Sequence, residues 1–406
     1  MQFKDRTPRL QAKSRLDEIQ DTLGADEHMP DSFFQQTFRL LVYMVLTTML
    51  VNTFLMNWSF LDGSHWNSLK AALDGTAHQP VVYRRLMPET VNLVRAALPQ
   101  AAKKVLSETV APEFYRFYTR PLTEYYEKLI PSITKQAGLD WEDPEYRVSF
   151  VLMYYLCWIF LFLSLFVMRF TVSHFEENAH QTFAGVRECA PVFAVLCLPF
   201  SFLNGGYYYD FGEYFLLNLA VYASLSGNLF VLVISLALAV INKETAWIFP
   251  LFLLPIWHQK WGARKTAVRA VLVVGLLLAV FLAIKSRYSS NPGGAFGLAL
   301  YSNIEFWAEP RNWWALGDHI GRGFFIPRLM LLAILLGGLA YGWKSAPRHI
   351  SAAAIAALLG SSLLLLFFGF KDELRNLSLA FPLFYAFIVS ACVEKQRRGA
   401  VPGRLC

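Results

Sequence analysis

Residues 241–250 read INKETAWIFP, with the apolar run NLFVLVISLALAV before them (228–240) and LFLLPIW after them (251–257). A lysine and a glutamate side by side in the most apolar part of a chain need a physical reason. Each charged side chain costs about 2.5–3.5 kcal/mol at a bilayer centre on insertion scales, so the pair lies near an interface or faces a polar cavity. The apolar arms flanking it are about 12–14 residues each, shorter than the ~20 that a full crossing needs. The segment is therefore expected to form a hairpin whose tip stops below the membrane surface. The other reading is one long tilted span over 229–257 with the charges in its middle, and it reverses the sidedness of one group of basic loops.

Working outward, the composition fits a membrane setting. The 406 residues are 55% hydrophobic and only 17% charged, with a mean hydropathy of +0.36. Several apolar runs are long enough to cross a hydrocarbon core of about 30 Å. The fold class is read as all-α, a polytopic transmembrane helix bundle of about ten spans: 36–57, 148–171, 190–204, 211–226, 229–241, 246–257, 266–286, 325–343, 350–370 and 377–393. Residues 1–35 are charged and polar without an early apolar core, so they read as a cytoplasmic tail, with insertion beginning at the first span. Residues 58–147 then form a large outer loop domain, 148–393 a transmembrane bundle with a second outer loop at 287–324, and 394–406 a cytoplasmic tail.

Charge orients the bundle. With the amino terminus inside, HQKWGARKTAVR (258–269), WKSAPRH (343–349) and the tail EKQRRGAVPGRLC all fall on the cytoplasmic side, and all are basic. The net charge of +7 is accordingly read as the Lys/Arg excess of inner loops and not as a nucleic-acid footprint. Arg287, Arg311 and Arg322, with Lys285 and Arg328 at the edges, are the misfit, because they lie in the outer loop 287–324. Cys157, Cys189, Cys197, Cys392 and Cys406 sit in or beside apolar runs without CxxC or His-rich spacing, so neither a disulfide framework nor a zinc site is expected. No Walker loop, dinucleotide fingerprint or HExxH motif occurs, and no cofactor is predicted; a divalent metal has no supporting motif.

The same parity gathers the unusual polar residues on one side: FLDGSHW at the start of the first loop, NGGYYYDFGE (204–213), INKETA, the loop 287–324 and FKDELRN (370–376). Polar groups at that depth must be paired or wet, which points to a cavity at the outer end of the bundle. Asp62 is a candidate general base on a hydroxyl, with His65 on the same face if the segment is helical; the alternative for Asp62 is a helix N-cap. Arg84 and Arg85 suit a phosphate or carboxylate, or outer-leaflet head groups. Tyr207, Tyr208 and Tyr209 offer a sugar-stacking face or an interfacial aromatic belt, with Asp210 as a hydroxyl acceptor. Lys243, Glu244, Glu373 and Arg375 either line a substrate path or form salt bridges that fix the hairpin and the last span.

Within the first loop, Val91, Val94, Leu98, Ala101 and Val105 recur at helical spacing beside Lys103 and Lys104, and Phe114, Phe117, Leu122, Tyr125 and Leu129 do so again. These read as interfacial helices on the outer leaflet or as packing over the bundle. GLDWEDPEYR (138–147) supplies turn chemistry, with Pro144 breaking any helix. In the later loop, NIEFWAEPRNWWALGDHIGRGFF and its Gly-rich lead SSNPGGAFG read as a lid over a lipid phosphate, with Arg311 and Arg322 as its bases.

The arrangement resembles the GT-C superfamily of integral membrane glycosyltransferases: many spans, a large first exoplasmic loop with interfacial helices, and an acid shortly after the first span, here Asp62. A bacterial subset of polytopic proteins within or beside it is similar at PVVYRRLMP, YYYD, INKETA and DELRN. Lys243 stands where that pattern has arginine, and Asp62 is followed by glycine and not by a second acid. The resemblance implies a polyprenyl-phosphate-linked sugar as donor and a glycan, lipid or protein hydroxyl as acceptor, at the exoplasmic face of a bacterial inner membrane with both termini cytoplasmic. It implies that Asp62 takes the acceptor proton in a single inverting displacement, that Arg84, Lys243 and Arg375 stabilise the departing phosphate, and that Glu244 and Glu373 hold those bases or bind sugar hydroxyls. The rivals are a lipid-linked sugar transporter, which should show related halves, an O-antigen-type polymerase, and a non-catalytic partner in an envelope complex.

Overall fold

The computed structural model of the chain describes residues 33–58, 60, 68–116, 141–179, 183–197, 207–294, 298–314, 328–369 and 374–400. Over these residues it is almost entirely helical, without a strand. Two compact units divide the chain, Met1–Met44 and Val45–Cys406. The described part of the first is the start of helix α1 (Phe33–Trp58), where Phe34 and Phe38 stack one turn apart. Four segments are long and apolar enough to cross a membrane: Phe33–Leu55, Pro144–Ala179, Glu244–Arg287 and Arg348–Phe368, with shorter apolar helices at Leu229–Asn242 and Leu332–Gly342. By length and composition these helices suggest a membrane protein.

In the second unit, α2 (Leu69–Asp74) opens the loop region, capped by Ser68 Oγ on the Ala71 amide at 3.1 Å. A 3₁₀ turn, Val81–Tyr83, leads to α3 (Leu86–Ala97) and α4 (Gln100–Val105). The helical spacing expected to run unbroken from Val91 to Val105 is interrupted here. Leu98 precedes Pro99 and takes an extended ψ of 136°, since the proline ring disfavours a helical residue before it. A π turn, Leu106–Val110, and α5 (Ala111–Phe114) follow; the Phe117–Leu129 pattern lies outside the described residues. Pro144 starts a helix instead of breaking one: α6 runs Pro144–Ala179, because the first helical position has no amide bond to lose. It packs on α1 through Tyr154 to Asn52 and Trp158 to Thr48, both at 3.0 Å.

Helix α7 (Ala184–Leu196) starts before the expected 190, the expected limit of 204 lies outside the described residues, and α8 (Tyr208–Ser226) follows. Asn228 caps α9 (Leu229–Asn242), its Oδ1 accepting from the Val231 amide at 3.1 Å. Lys243 is extended, Glu244–Ile248 makes a 3₁₀ turn, and α10 (Phe249–Arg287) begins. The chain has reversed there. Lys260 Nζ donates to Leu225 O at 2.6 Å and Trp257 Nε1 to Ser224 Oγ at 2.7 Å, so the first leg of α10 descends to the start of α9. Gly262 then breaks α10 with φ 74° and ψ 167°, a backbone that a residue with a side chain rarely adopts. The second leg climbs back, and Ile284 and Tyr288 pack on Ala71, Ala77, Val81, Val82 and Tyr83. INKETA is therefore the tip of a helical hairpin, and the basic stretch around Lys260 lies at its opposite end.

The 68–85 region is tied to the segment after α10. Gln79 Nε2 donates to Tyr288 O, Ser289 O and Asn291 O at 2.8–3.3 Å, and Asn291 Nδ2 returns bonds to Gly75 O and Ala77 O. Part of the expected lid is helical, in α11 (Leu300–Ala308) and α12 (Arg311–Trp314). Asn303 anchors α11, donating to the carbonyls of Leu365, Leu366 and Gly369 at 2.8–3.0 Å. Helix α13 (Arg328–Gly342) and α14 (Arg348–Phe368) come next. A 3₁₀ turn, Leu374–Leu379, precedes α15 (Phe381–Ala400), so the last helix starts later and ends later than the expected 377–393.

Candidate functional site

The tip of the α9–α10 hairpin meets the first turns of α8. Lys243 Nζ reaches Glu213 Oε2 at 2.8 Å and Asp210 Oδ1 at 3.3 Å, with the lysine side chain 5% exposed and both carboxylates fully buried. Asp210 and Glu213 are three residues apart on α8 and so share a face. Asp210 also caps its helix, Oδ2 accepting from the Tyr207 amide at 2.8 Å. Ser378 Oγ, from the turn before α15, donates to Glu213 Oε2 at 2.7 Å. Three separate segments thus meet at one buried carboxylate.

Beside this triad, Arg84 holds Glu244 in a two-pronged pair, Nε to Oε2 at 2.9 Å and Nη2 to Oε1 at 2.8 Å. Its third edge donates to the Tyr209 hydroxyl, and its guanidinium carbon lies 4.2 Å from the centre of the Tyr209 ring. A fork of this kind fixes both position and orientation. Tyr83, in the turn just before Arg84, has its phenol pushed above the usual range by burial first and by the Glu244 carboxylate second.

Close helix contact makes this cluster possible. Asn242 Nδ2 donates to Tyr209 O at 2.7 Å, and a Cβ at Gly212 would lie 2.7 Å from Asn242 Oδ1. Only a glycine lets α8 and α9 approach so nearly. Two buried acceptors, Glu213 Oε1 and Asn242 Oδ1, have no hydrogen-bond donor among the described residues. A hydroxyl or an ammonium presented to them would gain a strong partner, because unpaired polar atoms are costly in a low-dielectric interior.

Of the residues singled out from sequence, Arg84, Asp210, Lys243 and Glu244 come together here. Arg84 and Lys243 direct donors at carboxylates and Tyr209, the arrangement of the salt-bridge alternative. Tyr208 adjoins the cluster but is fully buried against Phe60 and Tyr209, so it is a core residue and not an open stacking face. The stacked pair is Tyr207 and Tyr209, with ring centres 5.0 Å apart and planes within 10°. Arg85 turns away from the cluster toward Glu89 and Ala72 O. Arg311 is exposed and pairs with Glu309 at 3.7 Å, apart from the cluster. Asp62, His65, Arg322 and Glu373 lie outside the described residues. Arg375 has its backbone in the 3₁₀ turn three residues before Ser378, and its side chain lies outside the description.

Glu213, Asn242 and Ser378 were not anticipated. The one available signal was the i, i+3 spacing of Glu213 after Asp210; the other two residues depend on contacts between distant segments. Among the described residues no group of three or more His, Cys, Asp or Glu is placed to hold a metal ion. Comparison of the chain with protein-family models, curated proteins and solved structures found no match.

Proposed function

We propose that the protein is a membrane glycosyltransferase of the GT-C kind, moving a sugar from a polyprenyl-phosphate-linked donor to a glycan, lipid or protein hydroxyl. Its working end is the exoplasmic end of the bundle in a bacterial inner membrane, with both termini cytoplasmic. The observation that supports this reading best is the buried cluster at the hairpin tip, where Lys243 bridges Asp210 and Glu213 while Glu213 Oε1 has no donor among the described residues. Ionisable groups held at that depth mark substrate paths, and carboxylates with spare acceptor atoms suit sugar hydroxyls.

In this scheme Asp62 takes the acceptor proton as the hydroxyl oxygen attacks the anomeric carbon. The bond to the lipid phosphate breaks in the same displacement, and the anomeric configuration inverts. Lys243 and Arg84 hold Asp210, Glu213 and Glu244 in position, and Arg375 stabilises the departing phosphate. Mass spectrometry of lipid-linked and surface glycans tests this in cells carrying wild type, a deletion, Asp62→Asn or Glu213→Gln at matched membrane abundance. Loss of one sugar with accumulation of its polyprenyl-phosphate donor is expected in the deletion and in Asp62→Asn. Unchanged glycan and donor pools in the deletion would remove the transferase reading; an active Asp62→Asn protein would remove only that residue's role.

A further inference from the structure

A second site lies behind the backbone of Arg84 and Arg85. The neighbouring arginines point to opposite sides, Arg84 into the buried cluster and Arg85 into a cleft of about 360 Å³ between α3, the end of α9 and the second leg of α10. Its polar lining is Arg85, Glu89, Arg287 and Tyr288. Apolar Val280, Ala283 and Ile284 line it earlier along α10, and Ile241 lines it beside Arg85, whose amide donates to Ile241 O at 2.9 Å. From Val280 to Arg287 the helix rises about 10 Å at 1.5 Å per residue, so charge and apolar surface are separated along its axis.

Charge and surroundings suggest what fills it. The guanidinium carbons of Arg85 and Arg287 lie 5.3 and 5.5 Å from the centre of the single Tyr288 ring, which brings two cations together at the cleft's polar end. Arg85 is compensated by Glu89 at 2.6 Å, whereas Arg287 is exposed, and the polar end keeps a net positive charge. The second leg of α10 presents Val271, Leu272, Leu276 and Leu282 outward, as a helix facing lipid does. A cleft with a cationic mouth and an apolar tail at the end of such a helix is complementary to an anionic amphiphile.

We infer that this cleft binds an anionic phospholipid of the surrounding bilayer, with its phosphate on Arg287 and the outer face of Arg85, and its chain along Val280, Ala283 and Ile284. The site is distinct from the proposed transfer centre, because the Arg84–Arg85 backbone separates its polar end from the Lys243 cluster. A lipid held there also joins α10 to the region of residues 71–85, whose apolar residues pack on Ile284 and Tyr288.

The test is native mass spectrometry of the full chain released from nanodiscs of equal phosphatidylglycerol and phosphatidylcholine, for wild type, Arg287→Gln and Ala283→Trp. Both substituted positions are exposed, so both variants should fold, which wild-type-like thermal unfolding will verify. Wild type should retain phosphatidylglycerol over phosphatidylcholine, and Arg287→Gln should lower that ratio about fivefold, the effect of one cation at a membrane surface. Ala283→Trp should abolish retention by filling the apolar end. An unchanged ratio in Arg287→Gln, or undiminished retention in Ala283→Trp, overturns the site. Displacement of phosphatidylglycerol by added polyprenyl phosphate, with the same dependence on Arg287, overturns the phospholipid assignment and gives the cleft to the donor.

Discussion

Two groups of ion pairs, at opposite ends of the helices, use the same residue types for different ends. Between α6 and α7, Arg169 meets Glu188 at 3.0 Å and Arg187 meets Glu176 at 3.7 Å, while Glu176 also accepts from the Phe183 amide at 2.7 Å. Two bases face two acids there, and Glu188 is 37% exposed. At the hairpin tip, Arg84 and Lys243 face three acids, Asp210, Glu213 and Glu244, and the exposure falls to between 0 and 11%. The first group closes the turn between two helices and remains partly wet. Among the described residues the second is buried, richer in acid than in base, and includes an acceptor without a donor. Burial together with imbalance, more than the presence of salt bridges, separates a candidate reaction centre from a staple.

The sharpest way to break this contrast is Lys243→Met. The substitution leaves Asp210 and Glu213 buried without their lysine, and removing one partner from such a group costs about 3–5 kcal/mol. Thermal unfolding in detergent should show a large drop in midpoint, and adding Glu213→Gln to Lys243→Met should restore part of it. An unchanged midpoint for the single variant would mean that the two carboxylates do not depend on Lys243, and the distinction between the two ends would fail.

A smaller effect is expected for Arg84→Lys. The charge is kept but the two-pronged contact with Glu244 and the donation to Tyr209 are lost, and charge-assisted bonds of this kind contribute about 1.5–3 kcal/mol. The sugar-transfer readout should fall as well, since Glu244 would no longer be aimed. Retention of both stability and transfer would show that the fork has no task.

Gly212→Ala probes the helix contact alone. Its Cβ would meet Asn242 Oδ1 at 2.7 Å, and overpacking of this order costs about 1–3 kcal/mol. Parting α8 from α9 also moves Asp210 and Glu213 relative to Lys243, so the proposed transfer activity should fall more than the unfolding midpoint. Equal losses would point to packing without a consequence for the site.

Much of this end of the molecule was legible in advance, and the failures have identifiable causes. Lys243 and Glu244 stood out because charge inside an apolar run is costly, and Arg84 and Asp210 because the parity of the spans put them on the same side. Glu213 did not stand out, since one acid three residues after Asp210 gains meaning only when α9 lies against that face of α8. The three tyrosines are alike in sequence but not in place: Tyr207 is the extended cap of α8, stacked on Tyr209, while Tyr208 and Tyr209 on the helix are both buried. Arg84 and Arg85 looked like one basic pair, yet adjacent residues leave the backbone on different sides. The break at Pro99 and the start at Pro144 follow from one fact, that proline is excluded from a helix interior and accepted in its first turn.

The smallest effect belongs to the opposite end. Arg169→Gln removes a pair in which the arginine is 12% and the glutamate 37% exposed, and wet pairs contribute at most about 1 kcal/mol. The loss should shrink further as salt is raised, because mobile ions screen a partly exposed pair, whereas the Lys243→Met deficit should hardly respond to salt. The proposed transfer activity should be unaffected, as no side chain of the α6–α7 group touches the hairpin tip among the described contacts. Measured side by side in low and high salt, the two variants test the contrast directly. If Arg169→Gln proves as damaging as Lys243→Met, and as insensitive to salt, then both ends are buried electrostatic cores and acid excess at the hairpin tip loses its claim to mark function.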